Sequence, residues 1–466
     1  MNKISVIRVL SITGLMLAAS MLVPAVAALV VGEREQLFAF SVTAVATGVL
    51  SGSVYLLTPK TVRRSTPVDA LAVVIVWWFL APVAAAPPFV IGVANADIGA
   101  ALHEAISCLT TTGYSVIEIG ETGWPVSLVL WRGVLHLFGA VASIIMAASV
   151  FAALNLGGPG VHRTALFTIP DKSYFTVIPR VAMIVASIVG VMTVTVFALL
   201  LATGMPVDTA MSDAVSVVTT GLVNPDALTN IETQPIRRII LAFGLIVSTL
   251  GLAVWLMIRS GRLDRVIADP ELLTFLACMA GFTLFVFLDG TTLLDGLAWS
   301  LSSLSTSGLP LTSTPVQNEL PAGLVVIPVL IGGSALSSAG GFKLGRFLIL
   351  MRRALLEFSR LGFRGAIVSL KFRGRVQQET TVIGIWVYFI AYLLAITLIM
   401  SLLSFSGLEF RSVLLSAVGA LSNAGQLVDP ALTGQGSGAV LMFSMILGRL
   451  EVLALLPAFL PGFWRR

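Results

Sequence analysis

The chain has 466 residues, of which 57% are hydrophobic and 11% are charged, and its mean hydropathy is +0.99. About a quarter of the residues of a soluble domain are charged, so this composition excludes a chain that covers itself with a polar surface. Apolar stretches of about 20 residues recur along the whole length, and each can cross the hydrocarbon core of a bilayer. We therefore expect a protein that spans a membrane many times.

The counts of reactive residues exclude several classes of site. Cys108 and Cys278 lie in apolar runs far apart in the sequence, which predicts packing residues rather than a disulfide framework or a metal site. His103, His136 and His162 are too scattered to indicate a metal cluster. The net charge of +5 follows the membrane topology described below, so no nucleic-acid partner is predicted.

The predicted elements begin with a helical hairpin, formed by spans at Val6–Val31 and Leu37–Leu57. Residues 24–28 also resemble the cleavage site of a signal peptide, but the apolar run is longer than the usual stretch of about 7–15 residues. We therefore expect the hairpin to be retained. Eight further spans follow, at about Val68–Val90, Val126–Leu154, Val181–Thr203, Ile236–Ile258, Leu272–Leu288, Leu320–Leu336 continuing through Phe342–Leu356, Val382–Leu403 and Gly438–Phe459.

Between the last eight spans lie four apolar segments that are too short to cross the membrane as a helix and return. They are Ile98–Thr112, Thr209–Thr220, Leu294–Ser307 and Phe410–Ala424. Segments of this length are typical of re-entrant pieces, which enter and leave the membrane on the same side. Each segment stands between two spans, which predicts a unit of helix, pore helix and helix that occurs four times.

Basic residues fall in every second loop, at 60–64, 162–180, 259–265, 343–375 and 465–466. The positive-inside rule therefore predicts that both termini and these loops are cytoplasmic. Arg237 and Arg238 are exceptions on the predicted outer side. Residues 343–375 are more basic than topology requires, which also indicates a docking site for a cytoplasmic partner.

Each short segment ends in small or hydroxyl residues followed by a glycine. Non-helical backbone at membrane depth is tolerated only where it is buried in protein or lines a water-filled cavity. Glycine accepts positive φ, so successive carbonyl groups can point toward an ion and replace its hydration shell. Packing of small residues between helices explains any single copy, but four copies favour a cation filter. The predicted filter residues are Thr111, Thr112, Gly113, Thr219, Thr220, Gly221, Thr306, Ser307, Gly308, Asn423, Ala424 and Gly425.

The dipoles of the four pore helices fit the same interpretation. The C-terminal end of each helix, with about half a negative charge, would face the ion. One acidic residue in or beside each helix is expected near the opposite, positive end. These residues are Glu104, Asp213, Asp295 and Glu409.

Four stretches carry a resemblance to a known family, at residues 110–113 (TTTG), 269–271 (DPE), 332–343 (GGSALSSAGGFK) and 448–451 (GRLE). The chain resembles, from end to end, the TrkH subunits of bacterial Trk potassium uptake systems, which are related to KtrB and to plant HKT transporters. The resemblance implies an all-α membrane protein with an N-terminal two-helix hairpin and four helix–pore helix–helix repeats in a pseudo-fourfold arrangement around a central pore. The expected units are the hairpin at residues 1–65 and pore repeats 1 to 4 at residues 66–160, 161–265, 266–375 and 376–466.

The resemblance also implies gating residues. In the family, the stretch at 332–343 is an intramembrane loop that gates the cavity beneath the filter; a glycine-rich kink without such a role is the alternative. Arg449 lies in an apolar span, where an arginine usually faces a cavity or a partner. The resemblance places it in the pathway below the filter, although an ion pair with Glu451 or a contact with the inner leaflet is also open. At ~8 Å and an effective dielectric constant of ~20, its repulsion of a cation is about 2 kcal/mol. The gating residues are Gly332, Gly333, Gly340, Gly341, Lys343 and Arg449.

For function, the resemblance implies potassium uptake across the bacterial inner membrane, with potassium as the bound substrate, no cofactor and no enzyme activity. It implies a homodimer in membrane lipid, docked on a cytoplasmic TrkA-like ring that binds nucleotides. In this chain residues 157–160 lack the Lys-Ser/Thr of a P-loop. Glycine in all four filter segments indicates potassium selectivity, since serine at the first position accompanies sodium transport in the plant relatives.

Two other functions stay open on the sequence. One is a secondary transporter, which would couple the movement of potassium (or sodium) to the movement of protons or sodium ions, as in symport. It would need a relay of carboxylates within the membrane, for which the spans offer Asp69 and Glu451. A membrane enzyme or assembly factor would need a clustered His, Ser or Cys constellation, and none is visible. Three departures from the family pattern bear on selectivity and gating. They are Gly221-Leu222 in place of paired glycines, Ala335-Leu336 in place of smaller residues, and residues 423–426 (NAGQ) in the fourth segment.

Overall fold

The computed structural model describes residues 2–59, 66–93, 96–117, 119, 123–147, 174–225, 235–311, 320–362, 370–373 and 375–455. Several stretches used in the sequence analysis lie outside these residues. They are the basic residues at 60–64 and 162–172, the end of the predicted fourth span, the stretch at 157–160 and the basic C-terminus. Within the described ranges the elements are helices apart from one two-stranded hairpin. The predicted all-α membrane class is confirmed.

The N-terminal hairpin consists of α1 (Lys3–Ser20), α2 (Leu22–Val31) and α3 (Arg34–Leu57). The first predicted span is therefore two helices that meet at Met21. Gly32 ends α2 in the left-handed conformation, with φ of 89°, and so lets the chain reverse into α3. The Glu33 carboxylate accepts a hydrogen bond at 2.7 Å from the backbone N–H of Val126, which connects the hairpin to the start of a later span.

A long helix, a short helix and a further long or broken helix then follow one another four times. The first set is α4 (Pro67–Ala85), its continuation α5 (Pro87–Gly92), α6 (Ile98–Leu109) and α7 (Val126–Ile145). The second set is α8 (Tyr174–Ala202), α9 (Val207–Thr219), α10 (Pro235–Thr249) and α11 (Leu252–Arg259), followed by α12 (Leu263–Ile267).

The third set is α13 (Pro270–Leu288), α14 (Leu293–Leu304), α15 (Ala322–Ile331) and α16 (Leu344–Gly362). A short antiparallel hairpin follows, made of β1 (Lys371–Phe372) and β2 (Arg375–Val376). The fourth set is α17 (Glu379–Leu403), α18 (Phe410–Leu421) and α19 (Gln435–Leu450), with 3₁₀ turns at Ser404–Ser406, Gly425–Leu427 and Pro430–Thr433 and a last described turn, α20 (Val452–Leu455).

We call the four short helices α6, α9, α14 and α18 pore helices 1 to 4. Each has 12 or 13 residues. Such a helix is roughly 18–20 Å long, too short for a hydrocarbon core of about 30 Å. Their positions agree with the four predicted re-entrant segments.

Helices long and apolar enough to cross a membrane lie at Lys3–Val31, Arg34–Leu57, Val68–Gly92, Val126–Ile145, Ile178–Ala202, Pro270–Leu288 and Glu379–Ser406. The other three predicted spans are broken helices. The predicted sixth span breaks between Thr249 and Leu252, the eighth between Ile331 and Leu344, and the tenth at Glu451. The first two breaks bond to each other, as described below, so the missing helical hydrogen bonds are replaced.

Two glycines allow pore helices to pack closely against long helices. A Cβ atom at Gly139 in α7 would overlap the carbonyl of Leu109, the last residue of pore helix 1. A Cβ atom at Gly448 in α19 would overlap the carbonyl of Leu421, the last residue of pore helix 4. The C-terminal ends of these two pore helices are therefore held by backbone contacts that only glycine permits.

We expect Gly139→Ala to destabilise the protein by about 1–3 kcal/mol, because the added methyl group forces the pore helix away from α7. The check is thermal unfolding of the purified protein in detergent. Gly190→Ala in α8 is the matched control, since among the described residues no atom outside its own helical turn lies within 4 Å of its Cβ position. Alanine favours helix there, so this variant should melt at or above the wild-type temperature. A Gly139→Ala protein that melts with the wild type would contradict the close packing.

Candidate functional site

All four pore helices end in the same unusual backbone conformation. The residue that follows each helix, or stands one position further on, has a positive φ of 53° to 55°. These residues are Thr111, Thr220, Thr306 and Asn423. Residues other than glycine seldom adopt this left-handed conformation, and they do so where the surroundings impose it. The four segments therefore share one turn, which leads the chain out of the pore helix.

Backbone hydrogen bonds align the four segments residue by residue. In each segment, the residue after the left-handed position donates its N–H to the carbonyl five residues earlier. The pairs are Thr112 to Ser107 at 2.9 Å, Gly221 to Ser216 at 3.1 Å, Ser307 to Ser302 at 3.2 Å and Ala424 to Gly419 at 2.8 Å. Thr112, Gly221, Ser307 and Ala424 are therefore equivalent positions.

This alignment corrects the predicted register of the second segment. The position after the equivalent set holds Gly113, Gly308 and Gly425 in three segments, but Leu222 in the second. The prediction aligned Gly221 with the other three glycines, and the structure places it one position earlier. Gly113 and Gly308 have φ of 76° and 65°, whereas Leu222 and Gly425 do not have positive φ. A leucine therefore fits the second segment without backbone strain.

The four segments that follow the pore helices, which we call the filter segments after their predicted role, lie against one another. A Cβ atom at Gly113 would overlap the backbone of Leu222, and one at Gly425 would overlap the carbonyl of Thr112. The Asn423 side-chain amide donates to the Thr112 hydroxyl at 3.2 Å. All twelve predicted filter residues lie in these four adjoining segments, and their threonine, serine and asparagine side chains are almost fully buried.

Arg132 lies beside the first two segments and was missed by the sequence analysis. It donates to the carbonyls of Val223 at 2.6 Å, Gly113 at 3.1 Å and Leu222 at 3.2 Å. Its guanidinium also pairs with the Glu104 carboxylate, and both side chains are fully buried. Glu104 therefore lies inside pore helix 1 as an ion-pair partner, not at the helix start as predicted. The signal in the sequence is an arginine within an apolar predicted span.

The other acidic residues of the pore helices explain the two arginines that break the positive-inside pattern. Asp213 lies in the middle of pore helix 2, not at its start, and pairs with Arg237 at 2.7 Å. Asp295 lies in the first turn of pore helix 3, as predicted, and pairs with Arg238 at 3.0 Å. Glu409 directly precedes pore helix 4. Since each arginine is paired with a carboxylate, neither is a free basic charge on that side.

The stretch at 332–343, which we call the intramembrane loop, lies against the ends of three pore helices. The Ser338 hydroxyl donates to the carbonyl of Val218 at 3.1 Å, in pore helix 2. The N–H of Gly340 donates to the Thr306 hydroxyl at 2.8 Å, beside pore helix 3. A Cβ atom at Gly340 would overlap the carbonyl of Ser422, which follows pore helix 4. The loop therefore touches three of the four filter segments directly.

The predicted glycines let this loop fold tightly on itself. A Cβ atom at Gly332 would overlap the carbonyl of Gly340, and one at Gly333 would approach the side chain of Ala339. Gly332 and Gly341 also have positive φ, of 68° and 79°. The remaining predicted member, Lys343, folds back over the loop and donates to its carbonyls; the acceptors are Ala339 and, at 3.5 Å, Ser337.

The intramembrane loop also fills the break between α10 and α11. Ser334 donates its N–H to the carbonyl of Thr249 at 3.2 Å, and Leu252 donates its N–H to the carbonyl of Leu336 at 2.9 Å. Backbone groups that leave a helix at membrane depth need such partners. The two broken helices thus satisfy each other, which is why neither predicted span is continuous.

Arg449 connects the first filter segment to the intramembrane loop. It donates to the carbonyls of Thr110 at 2.5 Å and Ser338 at 2.6 Å and to the hydroxyl of Thr111. The alternative partner, Glu451, instead pairs with Arg346 at 2.6 Å. Arg449 also lines a cavity of about 20 Å³ between the intramembrane loop and Asn423, which has room for about one water molecule.

The carboxylates that a proton relay would need have structural partners. Asp69 caps the start of α4, where it accepts hydrogen bonds from the N–H of Thr66 at 2.8 Å and of Asn2 at 2.6 Å. Glu451, which lies about 380 residues after Asp69 in the sequence, forms an ion pair with Arg346. The two carboxylates belong to separate clusters, which disfavours a relay that runs through both of them.

Comparisons with known proteins show which family and which fold this chain is similar to. A model of the TrkH family, described as a cation transport protein, matches residues 289–462. The Trk system potassium uptake protein TrkH of Salmonella typhimurium is 28% identical over 413 residues, which are 85% of each chain. TrkH of Halomonas elongata is 26% identical over an alignment of 486 positions, which covers 99% of each chain. The crystal structure of the potassium transporter TrkH from Vibrio parahaemolyticus has a TM-score of 0.87 at 24% identity and covers 100% of both chains.

The buried Arg132–Glu104 pair yields a stability prediction. Arg132→Met should destabilise the protein by about 3–5 kcal/mol, because it leaves the buried Glu104 carboxylate without its counter-charge. The double variant Arg132→Met/Glu104→Leu should recover part of that loss. Arg238→Met is the control, because its pair with Asp295 is partly exposed and should cost about 1 kcal/mol or less. Urea or thermal unfolding in detergent measures all three, and a double variant less stable than Arg132→Met would contradict the assignment.

Proposed function

Because this chain belongs to the TrkH family of cation transport proteins, we propose that it takes up potassium ions across the bacterial inner membrane through its four filter segments. It is a membrane cation transporter and not an enzyme. The observation that carries the proposal is the shared turn at the ends of four pore helices, which packs the filter segments against one another. The C-terminal ends of the four pore helices lead into these adjoining segments, and their partial negative charges would favour a cation there.

The filter would bind potassium through oxygen atoms at 111–113, 219–222, 306–308 and 423–425. Backbone carbonyls and threonine hydroxyls there can replace the hydration shell of the ion. Leu222 joins the predicted set because it is equivalent to Gly113. The second segment thus offers a stiffer backbone than the other three, since leucine resists the left-handed conformation that glycine accepts.

The intramembrane loop would act as the gate. Its contacts with Val218, Thr306 and Ser422 support a position directly on the ion path, and Arg449 holds it to the first filter segment. In this arrangement ions would pass only when the loop moves away. The positive charge of Arg449, fixed beneath the filter, would repel a cation that leaves the filter by about 2 kcal/mol at ~8 Å.

The remaining parts of the proposal concern topology and assembly. Both termini would be cytoplasmic, and the units at 1–65, 66–160, 161–265, 266–375 and 376–466 would be the hairpin and four pore repeats. The chain would form a homodimer in membrane lipid on a cytoplasmic TrkA-like nucleotide-binding ring. The basic residues of the third repeat that are exposed or half-buried support such docking; they include Arg352, Arg353 and Lys371. The rival proposal, an ion-coupled secondary transporter, has less support because Asp69 and Glu451 are engaged elsewhere.

The function is tested by rubidium uptake in a potassium-uptake-deficient bacterial strain that expresses this chain together with its partner ring. We expect uptake well above an empty-vector strain. Gly113→Ser should reduce the preference for rubidium over sodium, because its side chain meets the Leu222 backbone. Gly407→Ser is the matched control, since Gly407 has a similar φ of 75° but open space around it, outside the filter. No uptake with the partner present would contradict the proposal, and full preference in Gly113→Ser would contradict the filter assignment.

Leu222 provides a separate prediction about selectivity. Leu222→Gly should raise the potassium-to-sodium permeability ratio by about threefold, equivalent to about 0.7 kcal/mol at 1.4 kcal/mol per factor of ten. The reason is that glycine would let the carbonyl of residue 222, which Arg132 holds at 3.2 Å, turn toward the ion. Leu222→Ala is the control, because alanine shortens the side chain but keeps the backbone restriction. Flux into liposomes measures both, and a Leu222→Gly ratio at or below that of Leu222→Ala would refute the prediction.

A further inference from the structure

A contact runs from the β1–β2 hairpin to the start of α13. Arg373, at the turn of the hairpin, pairs with the Asp269 carboxylate at 2.7 Å and lies 3.5 Å from the Glu271 carboxylate. The Asp269 side chain is 1% exposed and the Glu271 side chain is 4% exposed, so each relies on this arginine as its ion-pair partner. Asp269 is also the N-cap of α13, where it accepts the N–H of Glu271 at 2.9 Å.

Glu271 extends this contact into the intramembrane loop. The same carboxylate oxygen that faces Arg373 accepts a hydrogen bond from the Ser334 hydroxyl, near the start of the loop. The other oxygen lies where a Cβ atom of Gly345 would stand, just after the loop returns to helix. The carboxylate of Glu271 is therefore placed between the two ends of the loop.

The loop end held by Glu271 is also the end bonded to the broken helix of the second repeat. Ser334 donates its N–H to Thr249, so its backbone and its side chain are both engaged. Further along, the same loop bonds to the filter through Ser338 and Gly340. An unbroken series of contacts thus connects the hairpin turn to the filter.

We propose that Arg373 and Glu271 are positioning residues that hold the intramembrane loop closed, so that displacement of the β1–β2 hairpin releases Ser334 and opens the path. The inference rests on the proposed gating role of the loop. Without Arg373, the two buried carboxylates repel each other and draw water or protons, and Glu271 loses the orientation that accepts the Ser334 hydroxyl. A cytoplasmic ligand that binds the hairpin would act on the gate by this route.

The test is ion flux into liposomes that contain the purified chain without a partner. Arg373→Ala should raise this flux by about tenfold, the shift expected when one charge-assisted hydrogen bond no longer favours the closed state. Arg373→Lys keeps the charge and should restore much of the closure. Arg353→Ala is the matched control, because Arg353 pairs with Glu357 and Glu379 and does not contact the loop. Equal flux in folded Arg373→Ala and wild-type protein would overturn the inference.

A double-variant comparison separates a connected route from two independent contacts. Ser334→Ala alone should also raise the flux by about tenfold, because it removes the same hydrogen bond from the other side. The combination with Arg373→Ala should then conduct no more than either single variant. Effects that multiply to about a hundredfold would show that the two residues act separately, and would overturn the route.

Hydrogen–deuterium exchange gives a second readout that does not depend on conduction or on Arg373→Ala folding. In Ser334→Ala, which removes the hydrogen bond to Glu271, amides of the intramembrane loop should exchange faster than in the wild type, while those of pore helix 4 should not change. Unchanged exchange in the loop would overturn the inference.

If neither wild type nor variants pass ions but the loop exchanges faster, the proposed function fails and the positioning role stands. If the wild type conducts and the variants match it in flux and exchange, only the positioning role fails.

Discussion

The structure depends on one constraint, which is that backbone polar groups at membrane depth need partners other than water. Helices satisfy this internally, but the filter turns and the intramembrane loop cannot. Arg132 and Arg449 supply the missing donors, and between them they bond to the carbonyls of Thr110, Gly113 and Ser338, among others. Each arginine is costly to bury, and each is offset by several hydrogen bonds to fixed oxygens.

The same constraint explains where sequence reasoning succeeded. Segment length and apolar content identified all four pore helices, and the predicted start of the fourth, Phe410, agrees with the structure. Glycine and serine content identified the intramembrane loop. These features follow from composition, which the sequence displays directly. The resemblance of the chain to the TrkH family likewise rested on stretches that can be read without a structure.

Sequence reasoning failed where conformation or distant pairing decides the outcome. Gly221 was aligned by residue type, whereas the register is set by Thr220, a non-glycine residue in the left-handed conformation. The break after Thr249 is stabilised by the loop about 85 residues later in the chain, which no local pattern reveals. The positions of Glu104 and Asp213 within their pore helices are determined by ion pairs with arginines and not by the helix dipole. A buried ion pair outweighs the dipole because the full charge is closer.

The hydrogen bond from Arg449 to Thr110 joins residues 339 positions apart and has a consequence for synthesis. A ribosome that adds about 5–20 residues per second needs roughly 20–70 s to cover that distance. Throughout this interval the first filter segment lies in the membrane without the hydrogen-bond donor that Arg449 supplies. The segment must wait in an incomplete form, shielded by neighbouring helices or by the insertion machinery. The hydrogen bonding of this segment is thus completed only after residue 449 has been synthesised.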